Sequence, residues 1–528
     1  MPLVGSTVHV SRRALLTYLV VLISIVAGGT YYNLSPLAIA CLSIFVTCVF
    51  LIASEIMIRS TAALLGAFLI LLMFTVEGTY TPVEIVHGYI EMDTILTLFG
   101  IIIVALLGLK SGLFYFIGMK IAKFSKGDPI VLYFMLAVFT FVLNIILITV
   151  AAIVVVVSLT LAICDILKID PRSYVIMEIF IANVASPAVM ISSVPNIVIA
   201  EKAPLTYSFF VVNLLPFAII FFPISVWMLY ATYQPPTVVD VRRAMAIQEI
   251  DEWLFVKDRK EFYASVVCIS GLIIGFIASR ELMIISIFFA VISFVFSSNP
   301  ESLIREVDWD TLLFFIGFYI VVAGLSLTGI LDAIAMCLLG ASGGNIYILI
   351  TLLFWISVIL SGFIDNIPYV LVIIPIIKIL IMMEAFSVYA AILWISLILA
   401  CNIGGGLNPY AAPQNLLALS MARRAKYPIV TKDYYRISVK WTIIGSLIAY
   451  IYLIMFVLSP IIISKIGFIK YVAMLLMLIT IVTTICIHKA VGLERFRRYM
   501  AKFMGQIKTL SYRGLRGLAK RVRGAVSG

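Results

Sequence analysis

The stretch CNIGGGLNPYAAPQN, Cys401 to Asn415, lies among apolar segments yet carries three asparagines, three consecutive glycines and two prolines. Proline removes a backbone donor and its ring displaces a carbonyl, while glycine admits dihedrals that other residues avoid, so the stretch is badly suited to a regular helix. In hydrocarbon every backbone polar group needs a partner, and a broken helix survives there only where protein or a water-lined cavity surrounds it. What the stretch means therefore depends on the rest of the chain.

With 63% hydrophobic residues, 12% charged and a mean hydropathy of +1.18, the 528 residues carry more apolar surface than one soluble core could hide. Apolar runs of the roughly 20 residues needed to cross a bilayer recur along the chain. The expected fold class is an all-α polytopic membrane protein with about eleven to thirteen crossings, multi-pass in the cell membrane. The seven cysteines form no CxxC pair, and nearly all fall in apolar runs, where they read as small buried hydrophobes. SRRALLTYLVVLISIVAGG, from Ser11, has the outline of a signal peptide without a convincing cleavage site and reads as an uncleaved first helix.

Charge sets the orientation. After Ile487, eleven lysines and arginines stand against Glu494 alone, nearly the whole formal charge of +11. Basic segments beside spans stay cytoplasmic, which puts the C-terminus inside. Arg12 with Arg13, Arg59, Lys120 with Lys123 and Lys126, the stretch 242–260, and Arg423 with Arg424 and Lys426 all fit that side. Glu84, Glu91 and Asp93 then fall outside. Phe496, Tyr499, Phe503 and Leu510 would suit a tail lying on anionic lipid, so membrane lipid is an expected partner and nucleic acid is not.

The chain repeats itself. DTILTLFGIIIVALLGLKSG, Asp93 to Gly112, aligns with DTLLFFIGFYIVVAGLSLTG, Asp310 to Gly329, in its opening Asp-Thr, the glycine at the eighth place and the closing glycine. Ninety residues after Asp93 comes NVASPAVMISSVPN, Asn183 to Asn196; 92 residues after Asp310 comes NIGGGLNPYAAPQN, Asn402 to Asn415, each with asparagines thirteen apart. On the charge map Asp93 opens its helix outside and Asp310 inside, which makes the halves two inverted-topology repeats with discontinuous helices and re-entrant hairpins. On this reading residues 1–80 are N-terminal scaffold helices and 81–232 the first transport repeat. A cytoplasmic linker follows at 233–261, then scaffold helices at 262–309 and the second repeat at 310–460. An extra helix at 461–487 precedes the basic tail, 488–528.

Two breaks meeting across a pseudo-two-fold axis would form one central site. Candidate substrate and ion ligands are Asn183, Ser186, Ser193 and Asn196 in the first break, and Asn402, Gly404, Gly405, Asn408 and Asn415 in the second. Helix N-termini released there suit anions, while unwound carbonyls and asparagine oxygens suit sodium or a small neutral oxide. The plainer reading is a pair of kinked helices whose asparagines glue neighbours together. Asp365 and Asn366 lie in SGFIDNIPYVLVIIPIIKIL, where a bare carboxylate costs at least a few kcal/mol, so a proton or sodium site is expected and no further cofactor. The corresponding FVLNIILIT offers Asn144 and Thr149 but no acid. Glu178 is a second candidate for such a proton or sodium site or a helix-end residue near Arg172, and Lys110 and Lys378 read as snorkelling side chains.

The wording of LFFIGFYIVVAGLSLTGIL, FIDNIP, NIGGGLNP and EIFIANVASPAVMISSVPNIVIA resembles the citrate-transporter-like ion transporter superfamily. Within it the chain looks most like the branch holding arsenite and antimonite efflux permeases, the melanosomal P protein and sodium/proton antiporters. The resemblance covers about residues 90–430 and is stronger in the second half. It implies a secondary transporter, a homodimer with elevator-like alternating access, and an option of a separate ATPase subunit. It places Asn183, Asn196, Asp365, Asn366, Asn402, Gly404, Gly405 and Asn415 on motif positions. The first half departs, with Asn183-Val184-Ala185-Ser186 where relatives have Asn-Ile-Gly-Gly, and Ser192-Ser193-Val194-Pro195-Asn196 where they have Gly-Asp-Pro-Pro-Asn.

An enzyme is not indicated: His9, His87 and His488 lie outside or at the ends of apolar runs, and neither HExxH nor GxxxxGK occurs. The expected substrate is a small inorganic ion or small anion, as in arsenite/antimonite efflux or sodium/proton exchange. The alternative is a citrate-like di- or tricarboxylate symporter, and beyond it a channel or a non-transporting receptor. No arginine pair sits in the broken regions to announce a dicarboxylate.

Overall fold

The computed structural model describes residues 12–54, 56–203, 205–235 and 247–463. The expected basic tail and nearly all of the expected extra helix before it lie outside the described residues, as does the middle of the linker. By its contacts the chain forms two units, 1–459 and 460–528, and the first carries all the described residues except 460–463 at the end of the last helix.

All regular structure among the described residues is helical. Helices α1 (Arg12–Tyr31), α2 (Pro36–Ala53), α3 (Arg59–Glu77) and the short α4 (Pro82–Tyr89) lead into α5 (Met92–Lys110), α6 (Leu113–Phe124), α7 (Pro129–Ile146) and α8 (Thr149–Leu167). Next come α9 (Arg172–Ala185), α10 (Val194–Lys202), α11 (Tyr207–Asn213) and α12 (Leu215–Thr232). Beyond the linker, α13 (Arg259–Ala278), α14 (Leu282–Phe296) and α15 (Pro300–Arg305) precede α16 (Trp309–Leu327), α17 (Ile330–Ser342), α18 (Ile346–Phe363) and α19 (Asn366–Met382). The four-residue α20 (Glu384–Ser387) is followed by α21 (Ala390–Gly404), α22 (Pro413–Arg424) and α23 (Thr431–Ile463). Ten helices among the described residues are long and apolar enough to cross a membrane; the expected eleven to thirteen crossings include the segment 461–487, nearly all of it outside those residues. The helices α14, α17, α19, α21 and most of α1 are apolar as well but offer only 10–17 residues each.

Local sequence explains the matching elements. Asp128 starts α7 by accepting from the backbone N–H of Ile130 and Val131, and Asn345 starts α18 by accepting from Tyr347 and Ile348. The closing glycines of the two aligned stretches make the turns into α6 and α17 in the left-handed region, Gly112 at φ 80° and Gly329 at φ 73°. The shared glycine at the eighth place is a crossing point in both halves. A Cβ on Gly100 would stand 2.5 Å from the backbone of Ser286 in α14, and one on Gly317 2.6 Å from the backbone of Ala63 in α3. Helices in lipid gain little from hydrophobicity on meeting, so such close backbone approach is what holds α5 to α14 and α16 to α3, the two most extensive helix pairs. Apolar side chains such as Phe68, Val267 and Phe288 point outward, as a lipid-facing surface requires.

The ordered end of the linker packs against α6. Trp253 and Phe255 sit on Phe116 and Tyr115, the Gln248 amide donates to the Lys123 carbonyl at 2.6 Å, and Lys123 pairs with Glu252. The hydrogen bond from Lys123 holds the Glu252 carboxyl below its usual range.

Candidate functional site

Both quoted breaks are real interruptions. α9 stops at Ala185, and Pro187 and a single 3-10 turn, Met190–Ser192, separate it from α10; α21 stops at Gly404, and irregular chain leads to α22. The first asparagine of each break reaches across to the second asparagine of the other. Asn183 Nδ2 donates to Asn415 Oδ1 at 2.9 Å, and Asn402 Nδ2 donates to Asn196 Oδ1 at 2.9 Å. Each second asparagine then ties up its own unwound chain. Asn196 Nδ2 donates to the carbonyls of Ser186 (2.7 Å) and Val189 (3.0 Å), and Asn415 Nδ2 to those of Gly405 (2.8 Å) and Asn408 (3.4 Å). The acceptors lie ten and seven residues back in both cases. Ser193 Oγ completes Asn402 at 3.0 Å, and Gln414 Nε2 completes Asn183 at 3.3 Å. Buried polar groups must be paired: Asn196 and Asn415 pair carbonyls that the breaks release, and Asn402 and Asn183 pair the remaining oxygens of those two amides.

The glycines serve a different end from the one expected of them. No residue of 401–415 has a positive φ. Gly404 is required by proximity, since a Cβ there would lie 2.6 Å from the Val358 carbonyl of α18; one on Gly406 would lie 2.5 Å from the Trp441 ring. Gly405 has only ordinary contacts, the nearest at 3.4 Å.

Four helices begin at one cavity of about 1240 Å³. Its wall includes Thr149, Val150 and Ala151 at the start of α8, Ser193, Val194 and Pro195 at α10, Asn366 and Ile367 at α19, and Pro413 and Gln414 at α22. No side chain caps α8, α10 or α22, while Asp365 caps α19 by accepting from Ile367 N–H at 3.0 Å. Uncapped helix starts carry partial positive charge and free donors. Farther along the wall stand Arg59, Lys110 and Lys257 with Asp258, Glu261, Glu306 and Asp308.

The expected ligands divide. Ser193 and Asn366 line the cavity, and Asn366 Oδ1 is buried without a partner. Asn183, Asn196, Asn402 and Asn415 are not part of its wall and form the cross-links. Ser186 bonds Thr149 at 3.1 Å, whose hydroxyl also donates to the Ser192 carbonyl at 2.5 Å. Asn144 is buried, donating to the Thr140 carbonyl at 2.7 Å and leaving its own Oδ1 unpartnered. Asn408 is outside the cavity wall and accepts instead from Tyr410 N–H and Tyr435 Oη. Lys110 bonds Glu306 at 2.7 Å and Ser302 at 2.5 Å beside the cavity. Arg172 pairs with Asp170, not Glu178. Two residues had no reading as ligands. Gln414 lies inside the opening stretch, and Arg59, taken only as a topology marker, bonds Asp310 at 2.7 Å and Thr311 at 2.6 Å and acts electrostatically on Asp365. No group of three or more His, Cys, Asp or Glu able to hold a metal occurs among the described residues.

A family described as citrate transporter matches residues 49–400. The chain belongs to this family. The citrate transporter match makes it a polytopic membrane transporter of the wider ion-transporter superfamily rather than an enzyme. An uncharacterized transporter of Mycobacterium tuberculosis is 28% identical over 79% of this chain and 98% of its own length. The P protein of Sus scrofa is 23% identical over 76% of this chain and 58% of its own, and the magnetosome protein MamN of Magnetospirillum gryphiswaldense 26% over 56% and 69%. Among solved structures, the Alcanivorax borkumensis YdaH transporter aligns over 70% of this chain and 86% of that one, with 13% identity and a TM-score of 0.48.

Proposed function

We propose that this citrate transporter family member is a secondary active carrier of a small carboxylate anion, driven by a proton or sodium gradient. The observation that carries this reading is the convergence of three uncapped helix starts, α8, α10 and α22, on one cavity with the Ser193 and Gln414 side chains between them. Such a site attracts anionic oxygen without an arginine pair, which removes the reason for ranking an inorganic ion first. The family description favours a carboxylate as well.

An inverted repeat supports alternating access in this reading. The reciprocal asparagine bonds and the crossed packing of α3 on α16 and α14 on α5 both follow from a pseudo-two-fold arrangement. With the linker cytoplasmic, the cavity is an inward-facing vestibule, since Leu254, Phe255, Lys257 and Asp258 form part of its wall. Asp365 and Asn366 are the proposed coupling-ion position, at the capped start of α19 beside Arg59.

Purified protein in vesicles, offered citrate, smaller dicarboxylates, arsenite and sodium under imposed proton or sodium gradients, tests the reading. Gradient-driven uptake of a carboxylate is expected, lost in Asp365→Asn. Arsenite or sodium flux without carboxylate flux would restore the inorganic-ion reading. Flux that follows only the substrate's own gradient would make the protein a channel.

A further inference from the structure

We propose that Glu178 is a proton-binding site of the first half, apart from the cavity, whose loading and unloading couples proton movement to the carrier cycle. The inference rests on the transporter reading above and deepens it. Glu178 lies within α9, five residues and so less than a turn and a half before Asn183, the residue that bridges the two breaks. It is fully buried and is not part of the cavity wall. The basic residue nearest in sequence, Arg172, is committed to Asp170 at 2.5 Å. One carboxyl oxygen is bonded to the Thr160 hydroxyl of α8, and the other has no partner.

Among the described residues its surroundings hold titratable groups but no counter-charge. Tyr133 on α7 is fully buried, and its hydroxyl also lacks a partner. Tyr230 of α12 lies edge-on to Tyr133 at 5.9 Å, Cys164 comes from α8, and Tyr174 on α9 itself donates to the Pro129 carbonyl at 2.9 Å. Cys401 belongs to α21, which also packs on α9, and Arg423 and Arg424 of α22 are exposed. Among the described residues no lysine or arginine pairs with Glu178. Burial without a counter-charge favours the neutral form of any carboxyl, and an orphaned oxygen gives that form a reason to rearrange. The balance is simple: hydronium gives its proton to the carboxylate on one side of the membrane, and water takes it back on the other. The first half thereby gains the acid that FVLNIILIT lacks.

Glu178→Gln mimics the protonated acid. In vesicles it should lower uptake driven by a proton gradient by about tenfold or more, flatten the pH profile, and keep gradient-free substrate counterflow within about twofold of the parent protein. Infrared difference spectra of the parent protein should show a protonated carboxyl band that titrates and is missing from the variant. That readout needs no transported substrate, so it separates failure of this proposal from failure of the carboxylate reading. A parent-like pH profile in Glu178→Gln overturns the proposal, as does a band that stays constant across pH. Should the glutamine variant not fold, Thr160→Val keeps the carboxyl and removes its one hydrogen bond; the pH midpoint of uptake should then move, and an unmoved midpoint overturns the proposal equally.

Discussion

Replacing Asn402 with alanine tests the cross-linked breaks most directly. Its amide donates to Asn196 Oδ1 at 2.9 Å, and its oxygen accepts from Ser193 at 3.0 Å. Both partners are buried, so Asn402→Ala leaves two unpaired polar atoms, each costing about 1–3 kcal/mol. Alanine in the last turn of α21 returns about 0.5 kcal/mol of helix propensity, for a net loss of about 1.5–5.5 kcal/mol. The part belonging to the asparagine pair alone is smaller, since interhelical hydrogen bonds in membranes average about 0.6 and reach about 1.7 kcal/mol. A double-mutant cycle of Asn196→Ala with Asn402→Ala, read by tryptophan fluorescence during reversible unfolding in denaturing detergent, should give a coupling in that range. The mirror cycle on Asn183 and Asn415, also 2.9 Å apart, should give the same value within error. Zero coupling in both cycles would refute the bonded arrangement. A strong value in one and none in the other would refute the equivalence of the two halves.

Gly404→Ala should destabilise by about 1–3 kcal/mol because its Cβ meets the Val358 carbonyl, whereas Gly405→Ala should fold like the parent; thermal unfolding in detergent compares them. The linker contact should depend on pH. The Glu252 carboxyl is held down by Lys123, so its contribution is present above the unfolded-state value and is lost as pH falls through the lower folded value. Hydrogen exchange across residues 252–256 of the parent protein should therefore stay low at neutral pH and rise only below about pH 4, while Lys123→Ala should show raised exchange at neutral pH as well.

The breaks were legible because their causes are local. Proline and glycine disrupt a helix wherever they stand, and asparagines thirteen apart announce that something must pair the released carbonyls. The role of the glycines was not legible. Gly404 and Gly405 are neighbours of identical chemistry, and only the position of α18 makes one indispensable and the other ordinary. Lys110 shows the same limit: a lysine ending an apolar helix gives no sign in the sequence that its partner is Glu306, the residue that follows α15.

Composition and periodicity alone determined that the chain is helical and crosses the membrane repeatedly, because hydrocarbon imposes those terms on every residue independently. Which asparagine meets which, which helix starts share a cavity, and that Glu178 is stranded from Arg172 were decided by the tertiary structure. Those facts depend on distances between residues more than two hundred positions apart, or on a side-chain choice between two near acids, and neither is written in the order of the residues.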